Sequence, residues 1–255
     1  MNIKMAIVTF CLMLFIAGRG ECQDIKDKKF KEVTRINNKE GDVIIKGMPV
    51  GPIMANCFII GCEETKLAAV IDPGDEASVI LKALADDKLS LQYIINTHGH
   101  FDHVGANKKL KEVTGAEILI HSKDAAMLSK LSITAAAFGL RAENSPPPDR
   151  ELNDGDVISF GKVTLKVIHT PGHTPGGISI LTGSHLFSGD TLFAGSIGRT
   201  DLPGGDYETL ISTIRKKIFS LDEKVVVHPG HGPDTRVGDE KIHNPFVGEG
   251  RKSMW

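Results

Sequence analysis

Four side chains of the types that bind metal ions lie within six consecutive residues, at His98, His100, Asp102 and His103. Imidazole nitrogen and carboxylate oxygen are natural ligands of divalent cations, whereas burying such groups without partners costs free energy. Their alternate spacing directs His98 and His100 towards one position. Asp102 and His103 can then turn towards a second. The motif therefore predicts the core of a site for two neighbouring metal ions.

Three later segments share one design, in which an apolar run ends in a turn of small residues that presents a polar side chain. They are residues 167–174, with His169 and His173; residues 186–191, with Asp190; and residues 225–232, with His228 and His231. A single histidine is more often a surface or core residue than a ligand, and Gly-Asp-Thr is often a turn or a helix cap. Together with the first motif, the segments supply enough imidazole and carboxylate for two ions that share a bridging carboxylate.

The elements that must position these residues alternate between strand and helix. Short apolar runs between glycine and charged turns predict strands, and apolar residues at helical spacing predict helices. The predicted strands are 43–45, 57–60, 67–71, 91–95, 117–120, 157–160, 163–168, 178–181, 186–188 and 224–227, and the predicted helices are 77–85, 105–113 and 207–219. This alternation predicts an α/β fold. One domain is expected over residues 23–255, with a loose polar lead-in at 23–41.

Two parts of the chain leave alternatives open. Residues 124–140 are Ala-rich and helical in pattern, and prolines at 146–148 break the pattern. Such a segment is either a lid beside the site or a connector. Cys57 and Cys62 flank an apolar run and are expected to be buried as small hydrophobic residues, with a bridge between them as the alternative.

The N-terminal residues 1–22 have the pattern of a secretory signal peptide, with Lys4 ahead of an apolar stretch that ends in small residues. The stretch is short for a membrane span, and an uncleaved anchor is the alternative. We therefore expect an exported protein, periplasmic or extracellular. A net charge of -2 indicates neither a nucleic acid nor an anionic membrane surface as a partner.

The ordered set of motifs resembles the metallo-β-lactamase superfamily, and within it the single-domain hydroxyacylglutathione hydrolase (glyoxalase II)-like proteins. The resemblance covers residues 43–246 and implies an αββα sandwich of two mixed sheets flanked by helices. It also implies a ligand set: His98, His100 and His173 for one metal, Asp102, His103 and His231 for the other, and Asp190 as the bridge between them.

Other residues near the motifs receive supporting roles. His169 and His228 match no ligand position of the family and are interpreted as structural. Asp72 resembles an acidic position that supports a metal-bound histidine, with a turn cap as the alternative. Arg199 and Asp201, in a loop that looks like the one under the family's site, are expected to form an internal ion pair.

The resemblance implies a metal-dependent hydrolase that cleaves a small-molecule acyl thioester such as S-lactoylglutathione. Two divalent ions, with zinc expected and iron or manganese as alternatives, would lower the pKa of a water molecule from about 15.7 towards neutrality. Asp102 would be the catalytic residue that relays a proton. The sequence shows no activated serine or cysteine, and this chemistry requires none.

The chain departs from the full glyoxalase II pattern after His231. Only residues 232–255 follow, so the C-terminal helical domain that carries much of the glutathione site there is expected to be missing. Residues 232–234 read Gly-Pro-Asp and lack the aromatic residue that contacts glutathione in that enzyme. The Asn-Pro-Phe sequence at 244–246 is shared with the shorter relatives. The resemblance therefore specifies the chemistry in more detail than the substrate.

Three other enzyme types of the same fold are alternatives. A zinc β-lactamase would lack the bridging aspartate at Asp190, and an acyl-homoserine lactonase would have tyrosine at Phe193. A persulfide dioxygenase shares the Gly-Arg-Thr-Asp loop at 198–201 but uses a single iron held by two histidines and one aspartate. A non-catalytic zinc-dependent binding protein is a fourth alternative, which the complete ligand set disfavours.

Overall fold

Two mixed β-sheets form the centre of the fold in the computed structural model, which describes residues 30–36 and 42–250. The first sheet has its strands in chain order, antiparallel from β1 to β4 and parallel from β4 to β7. Its strands are β1 (Lys31–Ile36), β2 (Val43–Val50), β3 (Ala55–Cys62), β4 (Leu67–Ile71), β5 (Ser90–Ile95), β6 (Glu117–His121) and β7 (Arg150–Leu152).

The second sheet takes six of the remaining strands, and two more form a separate hairpin. The strands are β8 (Val157–Phe160), β9 (Val163–His169), β10 (Ile178–Thr182), β11 (His185–Gly189), β12 (Leu192–Phe193), β13 (Ser196–Ile197), β14 (Val226–Pro229) and β15 (Thr235–Arg236). The order in the sheet is β15-β14-β11-β10-β9-β8, and β12 pairs with β13. Only β11 and β14 run parallel within this sheet, which is otherwise antiparallel.

The helices cover the outer faces of both sheets. Their bounds are α1 (Ala77–Asp86), α2 (Phe101–Val104), α3 (Asn107–Thr114), α4 (Leu131–Ala137), α5 (Tyr207–Thr213) and α6 (Val237–His243). In α1 the buried side chains Ile80 and Leu84 are four residues apart, so they share the face that packs on the first sheet. Leu210 and Val237 pack in the same way on the second sheet. The predicted αββα sandwich is confirmed.

The core between the sheets is made of aliphatic and aromatic side chains from both inner faces. Phe58 and Phe187 meet there edge to face with ring centroids 5.0 Å apart. Cys57 and Cys62 are buried free thiols, as the sequence predicted, and no bridge joins them. None of the described helices is long and apolar enough to cross a bilayer.

Part of the predicted lead-in at 23–41 is wrong, because residues 31–36 form the edge strand β1. Its pairing with β2 uses backbone hydrogen bonds, which need no apolar pattern, and charged side chains such as Lys31 and Glu32 suit an exposed edge. The rest of that lead-in and the signal-like residues 1–22 lie outside the described residues. Cys11 and Cys22 lie there as well.

The pattern of residues 124–140 predicted one helix after β6, but the structure has two different helices there. A 3₁₀ helix, Ala125–Lys130, is followed by α4. The backbone N–H of Ser132 donates to Oδ1 of Asn144 at 2.9 Å, so a side chain from twelve residues further along supports the start of α4. The predicted helix 207–219 begins as expected, but it changes to a π-helix at Ile214–Ile218.

Candidate metal centre

Five strands of the two sheets end beside one another, and each is followed by a residue of the predicted centre. Asp72 follows β4, and the motif at 98–103 begins three residues after β5. In the second sheet, His173 comes after β9, Asp190 directly after β11 and His231 two residues after β14. The sheets are rigid, so their ends place side chains from distant parts of the chain with precision.

The first group consists of His98, His100 and His173, whose ligand atoms lie within 4.8 Å of one another. Nε2 of His173 is 2.9 Å from Nδ1 of His100. The rings of His98 and His173 are nearly perpendicular, with centroids 4.8 Å apart. These are the three residues that the resemblance assigns to one metal.

The second group consists of Asp102, His103 and His231, which also lie within 4.8 Å of one another. Nε2 of His231 is 3.2 Å from Nε2 of His103 and 3.3 Å from Oδ2 of Asp102. The alternate spacing of the 98–103 motif thus directs its side chains to two positions, as predicted.

Asp190 lies between the two groups. Its Oδ1 is 3.5 Å from Nε2 of His103, and its Oδ2 is 3.5 Å from Nε2 of His173. Oδ2 is also 3.7 Å from Nε2 of His231, so the carboxylate lies against histidines of both groups. The turn that contains Gly230 packs closely against Asp190. A Cβ at Gly230 would clash with Oδ1 of Asp190, so only glycine fits at this position.

Hydrogen bonds behind the rings fix which nitrogen faces the centre. Nδ1 of His103 lies 3.0 Å from Oδ2 of Asp72, and Nδ1 of His173 lies 2.7 Å from the carbonyl oxygen of Arg199. If each Nδ1 carries the proton, both Nε2 atoms present lone pairs to the centre. Asp72 therefore supports a histidine of the centre, the first of its two predicted roles.

Asp72 also reaches the first group through Thr97. The Thr97 backbone N–H and hydroxyl donate to Asp72 at 2.7 and 2.6 Å. Nδ1 of His98 is then 3.1 Å from the Thr97 hydroxyl, whose oxygen can accept a hydrogen bond from the ring N–H. A single buried carboxylate thereby orients one histidine in each group.

The two groups differ in their electrostatics. Burial and then the neighbouring histidines hold the pKa of His98 well below its usual value and lower the pKa of His100 to about 4. Burial also tends to lower the pKa of His103. The carboxylates of Asp102, Asp190 and Asp72 outweigh burial and raise this pKa to about 10. His98 and His100 are therefore neutral near pH 7 without a cation, whereas His103 holds a proton.

Asp124 is a residue of the centre that the sequence analysis missed. It is fully buried, its Oδ2 accepts from the Gly99 N–H at 3.1 Å and the Thr174 hydroxyl at 2.7 Å, and its Oδ1 accepts from the Gly176 N–H at 2.7 Å. It thus joins the turn between His98 and His100 to the turn after His173. Its position just after β6 was the available signal, because the other strand-end residues follow the same design.

Asn56 was missed as well. Its backbone N–H donates to the Gly230 carbonyl at 2.7 Å, and its side-chain amide donates to the carbonyls of Pro229 and Gly232 at 3.0 and 2.9 Å. These bonds hold the turn on both sides of His231. No local sequence signal indicates this role, since Asn56 lies inside the strand β3.

The residues interpreted as structural lie outside both groups. His169 stacks on His121 with ring centroids 4.2 Å apart. His228 packs against Phe187, and its ring nitrogens lie 2.9 Å from His185 and 2.9 Å from Asp234.

The predicted ion pair of the loop at 198–201 is confirmed, with Arg199 and Asp201 joined by two hydrogen bonds of 2.7 and 2.8 Å.

The chemistry of this donor set fits divalent cations. Among the described residues, Nε2 of His98 and Oδ1 of Asp190 are buried without a hydrogen-bond partner, which is costly unless another group binds them. Ring nitrogens that face one another at 2.9 and 3.2 Å, together with carboxylate oxygens, form the N and O ligand set that such ions prefer. The structure brings all seven predicted ligands together, and metal binding by each remains a prediction.

The family model described as "Metallo-beta-lactamase superfamily" matches residues 50–231, a span that contains both groups and Asp190. The chain belongs to the metallo-β-lactamase superfamily. Members of this superfamily bind divalent metals, and the membership supports a metal-binding hydrolase. The family also accounts for the fold, since its solved members share the two mixed sheets flanked by helices.

Among curated relatives, "Hydroxyacylglutathione hydrolase GloC" of Haemophilus influenzae is 42% identical over 207 residues, which cover 80% of this chain and 97% of that protein. The solved structure of BLEG-1 B3 metallo-β-lactamase is 37% identical with a TM-score of 0.75, covering 80% of this chain and 99% of that one. The structure of TTHA1623 in a di-iron-bound form is 36% identical with a TM-score of 0.73, covering 79% and 99%. The names of the first two proteins state different activities, and the name of the third states a di-iron form.

Proposed function

We propose that the protein hydrolyses an acyl thioester, with S-lactoylglutathione as the model substrate, at a centre of two divalent ions. The observation that carries the proposal is the position of Asp190, whose carboxylate oxygens lie 3.5 to 3.7 Å from histidines of both three-residue groups. The 42% identity to a protein named hydroxyacylglutathione hydrolase supports this substrate class. Zinc is the expected metal.

The residues present would hold two ions in distinct surroundings. His98, His100 and His173 would bind one ion, and Asp102, His103 and His231 the other, with Asp190 shared between them. Ions bound there would lower the pKa of a water molecule and polarise the acyl carbonyl. The buried bonds behind the rings keep the ligating nitrogens in place, so that little reorganisation is needed during the reaction.

Asp102 is proposed as the residue that accepts and passes on a proton. Burial alone would raise the pKa of its carboxyl, but His103 and His231 outweigh that effect and hold the pKa below its usual range. The carboxylate is therefore ionised near neutral pH, as a proton acceptor must be. Its side chain is 16% exposed and lines a cavity next to the centre, where a substrate can reach it.

The rival activities are distinguishable by one set of measurements on the purified protein. We expect about two metal ions per chain by elemental analysis, as in dinuclear hydrolases, and hydrolysis of S-lactoylglutathione. A β-lactam and an acyl-homoserine lactone serve as competing substrates, given the similarity to a B3 metallo-β-lactamase. One iron per chain, with oxygen consumption on glutathione persulfide and no thioester hydrolysis, would contradict the proposal and favour the dioxygenase.

A further inference from the structure

A cavity of about 250 Å³ opens beside Asp102. Its walls come from the turn after β2 at residues 50–53, from Gly74 and Asp75 after β4, from Phe101 and Gly105, and from residues 140–143. Small-molecule sites typically occupy about 300–1,000 Å³. The cavity therefore suits one end of a substrate whose reacting bond lies at the metal centre.

Two side chains of opposite charge, Asp75 and Arg141, line this cavity. Among the described residues neither has an ion-pair partner, and the only hydrogen bond to Asp75 comes from the adjacent Glu76 N–H, at 2.6 Å. Of the other two charged residues of the wall, Glu143 is already paired with Lys108 at 3.0 Å, and Asp102 faces His231 of the metal centre at 3.3 Å. Both signs of charge are thus available to a ligand in one small space.

Apolar side chains also contribute to the wall. Ile53, Phe101 and Leu140 line it, and Phe101 also packs against Phe138 with ring centroids 5.6 Å apart. A ligand that matches this lining has a short hydrocarbon body with an ammonium and a carboxylate at its end. A planar guanidinium binds a carboxylate through two parallel hydrogen bonds, and a carboxylate binds an ammonium.

We propose that this cavity binds the zwitterionic amino-acid end of the substrate's thiol half, with the carboxylate on Arg141 and the ammonium on Asp75. The inference rests on the proposed thioesterase function and makes Arg141 and Asp75 specificity-determining residues. It also gives a role to the segment at 124–150, which the sequence left open as lid or connector: this segment supplies Arg141 to the substrate.

The test compares two thioesters with the same acyl group. S-Lactoylglutathione carries a zwitterionic end, whereas S-lactoyl-N-acetylcysteamine is uncharged. Because both charged side chains are solvent-exposed, we expect Arg141→Gln and Asp75→Asn each to raise KM for the glutathione thioester about tenfold, within the range for charged hydrogen bonds. The kcat and all constants for the neutral thioester are expected to stay near wild type, and Arg141→Lys to recover part of the loss.

Arg236→Gln is the matched control, because Arg236 is an exposed arginine on β15 outside the cavity. Equal effects of Arg141→Gln on both thioesters, or no effect on either, would overturn the inference. Binding of the non-hydrolysable S-methylglutathione, followed by calorimetry, separates this outcome from failure of the proposed function. If binding depends on Arg141 and Asp75 but no thioester is cleaved, the cavity assignment stands and the thioesterase proposal fails. Binding that is indifferent to both variants would contradict the cavity assignment.

Discussion

The two halves of the metal centre are built from the same residue types but are held in different ways. In the first group three imidazoles meet, and Asp124 fixes two of the turns that carry them. In the second group a carboxylate belongs to the group itself, and Asp72 lies directly behind His103. The first is thus ordered mainly by backbone turns, and the second mainly by charge. A cation at the second group must displace the proton of His103, whereas His98 and His100 in the first group have none to displace.

The largest effect is expected from Asp190→Ala, since this residue is the predicted ligand shared by both groups. Residues that only orient a ligand cost about 10- to 100-fold in metal affinity or activity when changed. Loss of a shared ligand should exceed that range. We expect metal content to fall at both positions and thioester hydrolysis to fall more than about 100-fold, measured by elemental analysis and by kinetics.

A histidine outside both groups provides the control for this variant. His169→Ala removes a ring that stacks on His121 and is expected to change activity by about twofold, as for a substitution away from the site. His173→Ala should instead lose most activity. If His169→Ala lost more activity than His173→Ala, the wrong histidine would be assigned to the first group. Near-normal metal content in Asp190→Ala would refute the bridging role.

Asp124→Asn and Asp72→Asn should separate the two groups. Each replaces a buried acceptor with an amide that cannot satisfy all of the donors around it, at a cost of about 1–3 kcal/mol for each donor left unpaired. We expect Asp124→Asn to weaken metal binding at the first group and Asp72→Asn to act chiefly at the second, each by about 10- to 100-fold. Stepwise metal titration by calorimetry measures both constants.

The exposed Asp86, paired with Lys82 at 2.6 Å, gives a matched control in Asp86→Asn, which should leave both constants unchanged. Asp72 also reaches His98 through Thr97, so a smaller loss at the first group is expected in its variant. Equal losses at both groups in both variants would mean that the centre behaves as one unit. In that case it would be wrong to describe the first group as ordered by backbone turns and the second as ordered by charge.

A smaller difference between the two groups is expected in the number of protons that they release when metal ions bind. His103 has a pKa raised to about 10 and stays protonated through neutral pH without a cation, whereas His98 and His100 have lowered pKa values and are neutral. At pH 7 metal binding at the second group should therefore release at least the proton of His103, whereas His98 and His100 in the first group have none to release. Affinity at the second group should rise as pH rises towards 10. Calorimetry in buffers of different ionisation enthalpy counts these protons, and equal release at both groups would contradict the difference.

Local sequence patterns were enough to predict most strands of the sandwich and the motifs that contain the ligands. Apolar runs predicted the strands that end at the centre, because a buried strand must be apolar whatever lies beside it. The polar edge strand β1 was not predicted, since its backbone pairing needs no apolar pattern. Asp124 and Asn56 were missed for a related reason. Their partners are 25 to 52 and about 173 to 176 residues away, and no local pattern encodes those contacts.

The sequence by itself determined the types of ligand, their two directions within residues 98–103, and the α/β layering, because residue chemistry and the periodicity of burial are local properties. Only the tertiary structure decided how the centre is held. The bond from His103 to Asp72, the joining of two turns by Asp124, and the entry of Arg141 into the cavity beside Asp102 all require chain segments from different elements to meet. Those contacts exist because both sheets present their strand ends at one place.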